Sequence, residues 1–419
     1  MALFDLVEPI RADPIGAARN EDRSTRPRCL WLTLFDPEPR HSGELIYSGG
    51  LIDAAVAAGL QLDVLATARH RPAAGDARAE LRWWLIRHEP RPAWKSLVSP
   101  LPYLADRARD AAKIATLRAL LGKHRWDGIV FDGVSNGWAL PDVRDHWRRS
   151  ADRPRILYIS HNHETSLRQR IAAIESNPIR RRLRELEAYK VARLESGLVD
   201  CADRVTAITP DDRALYAERH PGKRIEVLPP GYGGRIRPRR TLTGTLPRRV
   251  VIVGSYAWIA KRTNLEEFLV HADPILARAK IDLCVVGQVE KDVLARWRQR
   301  FPATRFTGSV DDVMPYMDEA RLAVVPERHG GGFKLKMLDY VFNRVPILAL
   351  QDSFAGVPVQ AGRSVLLFPD HAALARGMVA AIDDLDRLNG LQEAAFAACR
   401  NEFHWMDRGQ ALRAAIVGT

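Results

Sequence analysis

Residues 324–349, VVPERHGGGFKLKMLDYVFNRVPILA, bring together two carboxylates (Glu327 and Asp339), three consecutive glycines (Gly330, Gly331 and Gly332) and two lysines one residue apart (Lys334 and Lys336). Without a Cβ, glycine lets backbone N–H groups close on an anion, and a helix that begins just after the glycines turns its positive end to the same point. The lysines flank the turn into that helix and can reach phosphate oxygens, while the carboxylates can accept hydrogen bonds from hydroxyls. A phosphate held beside a polyol is the chemistry of a nucleotide-sugar.

The elements needed to position such a site are legible on either side of it. CLWLTLF, LDVLATA, LRWWLIRH, DGIVFDG, PRILYIS and RVTAIT are short apolar runs separated by helical patterns, including one expected over residues 106–121 and a long arginine-rich one ending near Val199. Strands alternating with helices form a parallel sheet covered on both faces. The stretch GGRIRPRRTLTGTLPRR, rich in Gly, Pro, Arg and Thr, interrupts the pattern, which restarts with RVVIVGS, IDLCVVG, TRFTGS, LAVVP and PILAL. The expected organisation is a loosely ordered arm over 1–27, a Rossmann-like domain over 28–235, a second over 236–393, and a C-terminal helix over 394–419. In doubly wound sheets ligands bind beyond the carboxyl ends of strands. That places Gly254 and Ser255, Lys261 and Arg262, Gly287 and the 327–339 segment on one wall of a cleft. Asp132 and the polar cluster His161, Asn162, His163 and Glu164 fall on the other, with Gly49 and Gly50, expected to open a helix over LIDAAVAAGL.

Composition narrows the classes. The 419 residues are 46% hydrophobic, enough for two ordinary cores. Cys29, Cys201, Cys284 and Cys399 lie far apart without a CxxC pair, which speaks against zinc or a disulfide framework and for a reducing compartment. The N-terminus lacks the basic start and apolar run of a signal peptide, and no apolar stretch approaches the roughly 20 residues of a spanning helix, so a cytoplasmic protein is expected. The net charge of +12 favours anionic partners: nucleoside diphosphates, the anionic inner face of a membrane, or nucleic acid. The densest basic run, Arg180, Arg181, Arg182 and Arg184, reads as a solvated helix face, and Trp83, Trp84, Trp94 and Trp138 read mostly as core. No GxSxG elbow, P-loop or convincing DxD metal motif is present; the DLD at 384–386 lies in a helical, solvated pattern.

The 327–339 spacing resembles the donor-site signature of GT-B fold glycosyltransferases of retaining family 4, in which two glutamates flank a glycine-rich turn and a helix; here the second acid is Asp339, one methylene shorter. The resemblance implies an α/β fold of two facing Rossmann-like domains with a cleft between them. It also implies transfer of a sugar from a nucleoside diphosphate sugar to the hydroxyl of a glycan, lipid-linked or small-molecule acceptor, with retention and without a metal or other cofactor. VIVGSYAWIAKRTNLEEFL looks like the first strand of the family's donor domain, and ISHNHETSLRQR like its histidine segment. On that basis His161, Glu327 and Lys334 are the expected catalytic residues. Gly254, Ser255, Lys261, Arg262, Gly287, Gly330, Gly331, Gly332, Phe333, Lys336 and Asp339 are expected to hold the donor. Gly49, Gly50, Asp132, His163 and Glu164 are expected on the acceptor side. A sugar-nucleotide epimerase of the same fold, a DNA-modifying glucosyltransferase, and a non-catalytic nucleotide-binding assembly subunit are the alternatives; salt-sensitive duplex binding would mark the second.

Overall fold

The structure, a computed structural model, describes residues 26–69, 79–87, 94–256, 259–328 and 332–418. The expected arm at 1–27 lies outside these but for its last two residues. The first half runs β1 (Arg28–Phe35), α1 (Gly43–Ala57), β2 (Gln61–Thr67), β3 (Leu81–Ile86), α2 (Lys95–Val98), α3 (Tyr103–Ala108), α4 (Ala111–Lys123), β4 (Gly128–Asp132), α5 (Leu140–Arg149), β5 (Arg155–Ile159), α6 (Glu164–Ala173), α7 (Pro178–Cys201), β6 (Arg204–Ala207), α8 (Pro210–Arg219) and β7 (Ile225–Val227). The second runs β8 (Arg249–Val253), α9 (Ile259–Arg278), β9 (Asp282–Val286), α10 (Lys291–Arg300), β10 (Thr304–Phe306), α11 (Met314–Asp318), β11 (Leu322–Val325), α12 (Lys336–Phe342), β12 (Ile347–Leu350), β13 (Leu366–Phe368), α13 (His371–Ala381), α14 (Leu385–Cys399) and α15 (Trp405–Val417).

Both sheets are parallel throughout, and the second repeats the winding of the first: β3-β2-β1-β4-β5-β6-β7 and β10-β9-β8-β11-β12-β13. Their inner strands are buried on both faces because helices cover each side, which is why they read as unbroken apolar runs, while the edge strand β3 is only half-buried. The order reverses between β1 and β4 and between β8 and β11, so each sheet opens a crevice where those strands end. Two differences from the sequence reading are local. Asp110 accepts from the backbone of Ala112 at 2.7 Å and starts α4 afresh, so the helix expected over 106–121 is two helices with a break at Arg109. The three-residue edge strand β13 is too short to announce itself.

The connection after β7 is fixed to the second half: Arg235 and Arg237 donate to Asp318 at 2.6 and 2.9 Å, and Tyr232 stacks on Phe342 with ring centroids 4.5 Å apart. After α14 the chain returns to the first half, where Leu412, Ala415 and Ile416 of α15 join Trp31, Leu51 and Val130 in one core. Gly409 allows α15 to lie against the backbone of α1: a Cβ there would stand 2.1 Å from the Ala54 carbonyl oxygen.

Candidate active site

The glycine bend of the second half meets the histidine segment of the first. Gly332 has φ +71°, and a Cβ on it would lie 2.3 Å from Asn162 Oδ1 and 3.0 Å from the His161 carbonyl oxygen. Only glycine allows both the backbone angle and this approach, so the two walls expected from sequence are in contact here. Gly330 and Gly331 lie outside the described residues. Gly43, at the start of α1, comes close to Leu335 on the same bend.

Glu327 follows β11 and is mostly enclosed, with 16% of its side chain exposed. Its Oε1 accepts a hydrogen bond from Lys336 Nζ, while its buried Oε2 has no partner among the described residues. Burial alone would raise the Glu327 pKa, but the charges of Lys336 and Lys334 hold it below the ordinary carboxylate value. Lys261 joins them from the first turn of α9; burial and the neighbouring Lys336 lower its pKa. Arg262, the next residue along α9, points away to Glu290 at 3.2 Å. Three ammonium groups thus surround one carboxylate whose second oxygen is unsatisfied, and buried polar atoms in that condition call for a ligand or water.

The floor is built from strand ends. Gly254 donates its N–H to the Val286 carbonyl at 3.0 Å, and Gly287, at φ +144°, sits so close that a Cβ would lie 1.6 Å from the Gly254 carbonyl oxygen. Ser255 follows at the mouth of β8. Tyr256 buries a hydroxyl without a partner among the described residues, and the Glu327 charge helps burial raise its pKa. Asp339 lies beside Tyr232, and burial pushes its carboxyl up to about 6.

Across the cleft, His161 follows β5 and its Nε2 is 2.6 Å from Oδ1 of Asp132 at the end of β4. Trp31 donates its indole N–H to the other oxygen of Asp132 at 3.0 Å, and Tyr47 packs edge-on to the imidazole at 5.3 Å. Burial would lower the His161 pKa, but the Asp132 charge and hydrogen bond outweigh it and raise it; burial would raise the Asp132 pKa, but His161 and the indole hold it down. With Nε2 committed to Asp132, Nδ1 is the ring nitrogen left to face a substrate. Asp132 therefore positions the imidazole rather than touching an acceptor. Glu164 accepts from Asn162 at 3.1 Å and lies 3.3 Å from Arg168, with its pKa raised by burial.

Four expected residues take structural places instead. Gly49 and Gly50 do not open a helix: α1 begins at Gly43, capped by the Ser42 hydroxyl, and both glycines are inside it. Gly50 makes room for the Trp405 ring, which would stand 2.3 Å from a Cβ. His163 caps α6, accepting from Ser166 N at 3.2 Å and packing on Tyr216 at 4.6 Å, and burial drives its pKa down to about 4. Phe333 is a wedge between the cores of the two halves, 5.7 Å from Phe403. The cleft residue that sequence reasoning missed is Glu44, in the first turn of α1. It is reached by solvent yet enclosed by protein; burial raises its pKa against the pull of His161. Its signal was Ser42 ahead of Gly43 and the apolar pair Leu45 and Ile46, a capped helix start.

Residues 247–384 match the family model described as glycosyl transferases group 1. No curated protein sequence matches the chain. Among solved structures, sucrose-phosphate synthase from Thermosynechococcus elongatus is similar with TM-score 0.69 and 18% identity, covering 94% of this chain and 100% of that one. Anabaena HepE, solved with UDP and glucose, gives TM-score 0.64 at 14% identity over 94% and 100% of the two chains. WaaG, a glycosyltransferase involved in lipopolysaccharide biosynthesis, gives 0.61 at 13% over 93% and 100%. The two parallel sheets, their common winding and these likenesses define a GT-B fold, and with the matched domain they identify the chain as a glycosyltransferase of that fold whose residues 247–384 form a glycosyl transferases group 1 domain.

Proposed function

We propose that the chain transfers a sugar from a nucleoside diphosphate sugar to an acceptor hydroxyl, with retention at the anomeric carbon and without a metal. The observation that carries this reading is Glu327: one oxygen held by Lys336, the other buried beside Lys334 and Lys261 and without a hydrogen-bond partner among the described residues. A sugar hydroxyl would satisfy the free oxygen, and the ammonium groups would hold the pyrophosphate. A nucleoside diphosphate gains about one negative charge on leaving, and fixed cations in a water-poor cleft stabilise such charge by several kcal/mol. Those cations can do the work a divalent metal does elsewhere. His161, aimed by Asp132, would face the reacting carbon, with Glu44 and Glu164 on the acceptor side. Retention follows the family resemblance, and HepE binding UDP supports a nucleotide-sugar donor.

Asp339 is assigned to the ribose, whose hydroxyls donate to an ionised carboxylate. Because burial places its pKa at about 6, nucleoside diphosphate affinity should weaken by about tenfold as pH falls through that value, and Asp339→Asn should lose both the affinity and its pH dependence. In the free chain the sign is opposite: a raised carboxyl pKa favours the folded state below about pH 4 and loses that contribution as pH rises through about 6. Titration calorimetry at several pH values separates the two.

Calorimetry with a panel of UDP-, GDP- and dTDP-sugars tests the function itself. Heat with one nucleotide class, and product only when acceptor is added, is the expected result. Turnover of donor alone indicates an epimerase; binding without turnover on any acceptor indicates an assembly subunit.

A further inference from the structure

We propose that the face built by α2, α3 and the N-terminal half of α7 docks onto an anionic lipid bilayer. Of the sixteen large apolar side chains exposed among the described residues, ten fall within residues 94–104 and 174–189. Val98 is 84% exposed, Ile179 74%, Tyr189 66% and Trp94 64%, so Trp94 is surface rather than the core residue expected from sequence. The segments form one surface. Lys190 Nζ donates to the carbonyls of Ser96 and Leu97 at 2.9 Å each, the backbone of Tyr103 donates to Glu187 at 2.8 Å, and Arg184 pairs with Glu175 of the α6–α7 turn at 2.8 Å.

On α7, Ile179, Leu183, Leu186 and Tyr189 recur at spacings of four, three and three, which puts them on one stripe, while Ala188, Val191, Glu195 and Leu198 face the body. An amphipathic helix of a globular protein turns its apolar stripe inward; here a second stripe faces water. Residues 176–184 are exposed all round, so this end of the helix projects from the domain. Charge selects the partner. Residues 178–193 carry five arginines against two glutamates, and Glu185 is already taken by Arg181 and Arg182 at 3.1 and 3.2 Å. Lys95 adds another cation beside the Trp94 ring. Aromatic rings and aliphatic side chains at the projecting end, flanked by guanidinium groups, suit insertion into the headgroup boundary of an acidic membrane. Among the described residues no helix is long and apolar enough to cross a membrane, so the contact proposed is peripheral. It does not depend on the donor-site reading.

The test is sedimentation of the full chain with vesicles of equal parts phosphatidylglycerol and phosphatidylcholine, against phosphatidylcholine alone, at about 0.15 M salt. The expected result is pelleting with the acidic vesicles only. Neutralising Arg180, Arg181 and Arg182 to Gln should weaken it by about a hundredfold. Ile179→Ser with Leu183→Ser should also release the chain, and both variants should keep the thermal midpoint because the positions are exposed. No pelleting with acidic vesicles, equal pelleting with neutral ones, or variants that bind as the parent does would each overturn the proposal. So would a concentration-dependent dimer that the stripe substitutions abolish, since the face would then serve self-association.

Discussion

Lys334→Ala is expected to lower kcat by about two to three orders of magnitude and to leave the thermal midpoint within a few degrees of the parent. In the proposed reaction the cation acts on charge that develops as the pyrophosphate leaves, and removing one group fixed at such a position costs about 3–4 kcal/mol of barrier. Lys336→Ala behaves differently, because Lys336 is the hydrogen-bonding partner of Glu327, whose side chain is 16% exposed. Removing it takes away the hydrogen bond and the nearest counter-charge of a carboxylate that keeps Lys334 and Lys261 close by, and should cost about 1–2 kcal/mol of stability as well as turnover. Glu327→Gln in the same chain should restore the stability and not the activity, because the amide needs no counter-charge yet the cation is still missing. Thermal unfolding and steady-state kinetics on the two single variants and the double variant form the necessary cycle. Unchanged kcat in both lysine variants would refute the assignment.

Asp132→Asn is expected to lower kcat by about a hundredfold and to remove a pH dependence of stability. The carboxylate accepts from Trp31 and faces His161 Nε2 at 2.6 Å, so the amide keeps the indole partner and loses the charge that fixes the ring. The His161 pKa is raised in the folded chain, so the stabilisation is fully present below the ordinary histidine value of about 6.5 and is lost as pH rises through the raised one. The Asp132 pKa is depressed, so its share is present above the ordinary carboxylate value and lost as pH falls through the depressed one. Between these limits the pair contributes fully; in Asp132→Asn the decline on the alkaline side should flatten. Thermal midpoints measured from pH 5 to about 9 decide it, and superimposable profiles for parent and variant would contradict the pairing.

Six strands of the first sheet were legible because a parallel strand buried on both faces must be apolar at nearly every position, as in CLWLTLF and DGIVFDG. The meeting of the glycine bend with the histidine segment was legible for a related reason: Gly332 has to approach Asn162 and His161 with a positive φ, and that need is written in the residue type. What failed to show were roles set by distant chain. Gly50 was expected to open a helix on the acceptor side because nothing near it announces that Trp405, far along the chain, will fill the space above it. His163 was expected on the acceptor side beside the catalytic candidate His161, and what separates the two is Asp132 on a neighbouring strand and Tyr216 on a later helix. Tyr256 and Phe333 are both aromatic residues close to a glycine, and only the packing separates an unsatisfied hydroxyl beside Glu327 from a wedge between cores. Side-chain type limited the candidates, and topology chose among them.

The reading as a whole rests on where a pyrophosphate binds. A crystal of the chain soaked with UDP, GDP or dTDP, whichever gives heat in calorimetry, addresses this directly. Phosphate density within hydrogen-bonding distance of Lys334 or Lys336 Nζ, at the Gly332 bend and facing His161, is the predicted result. A nucleotide bound away from that bend, with both lysines unchanged, would contradict it.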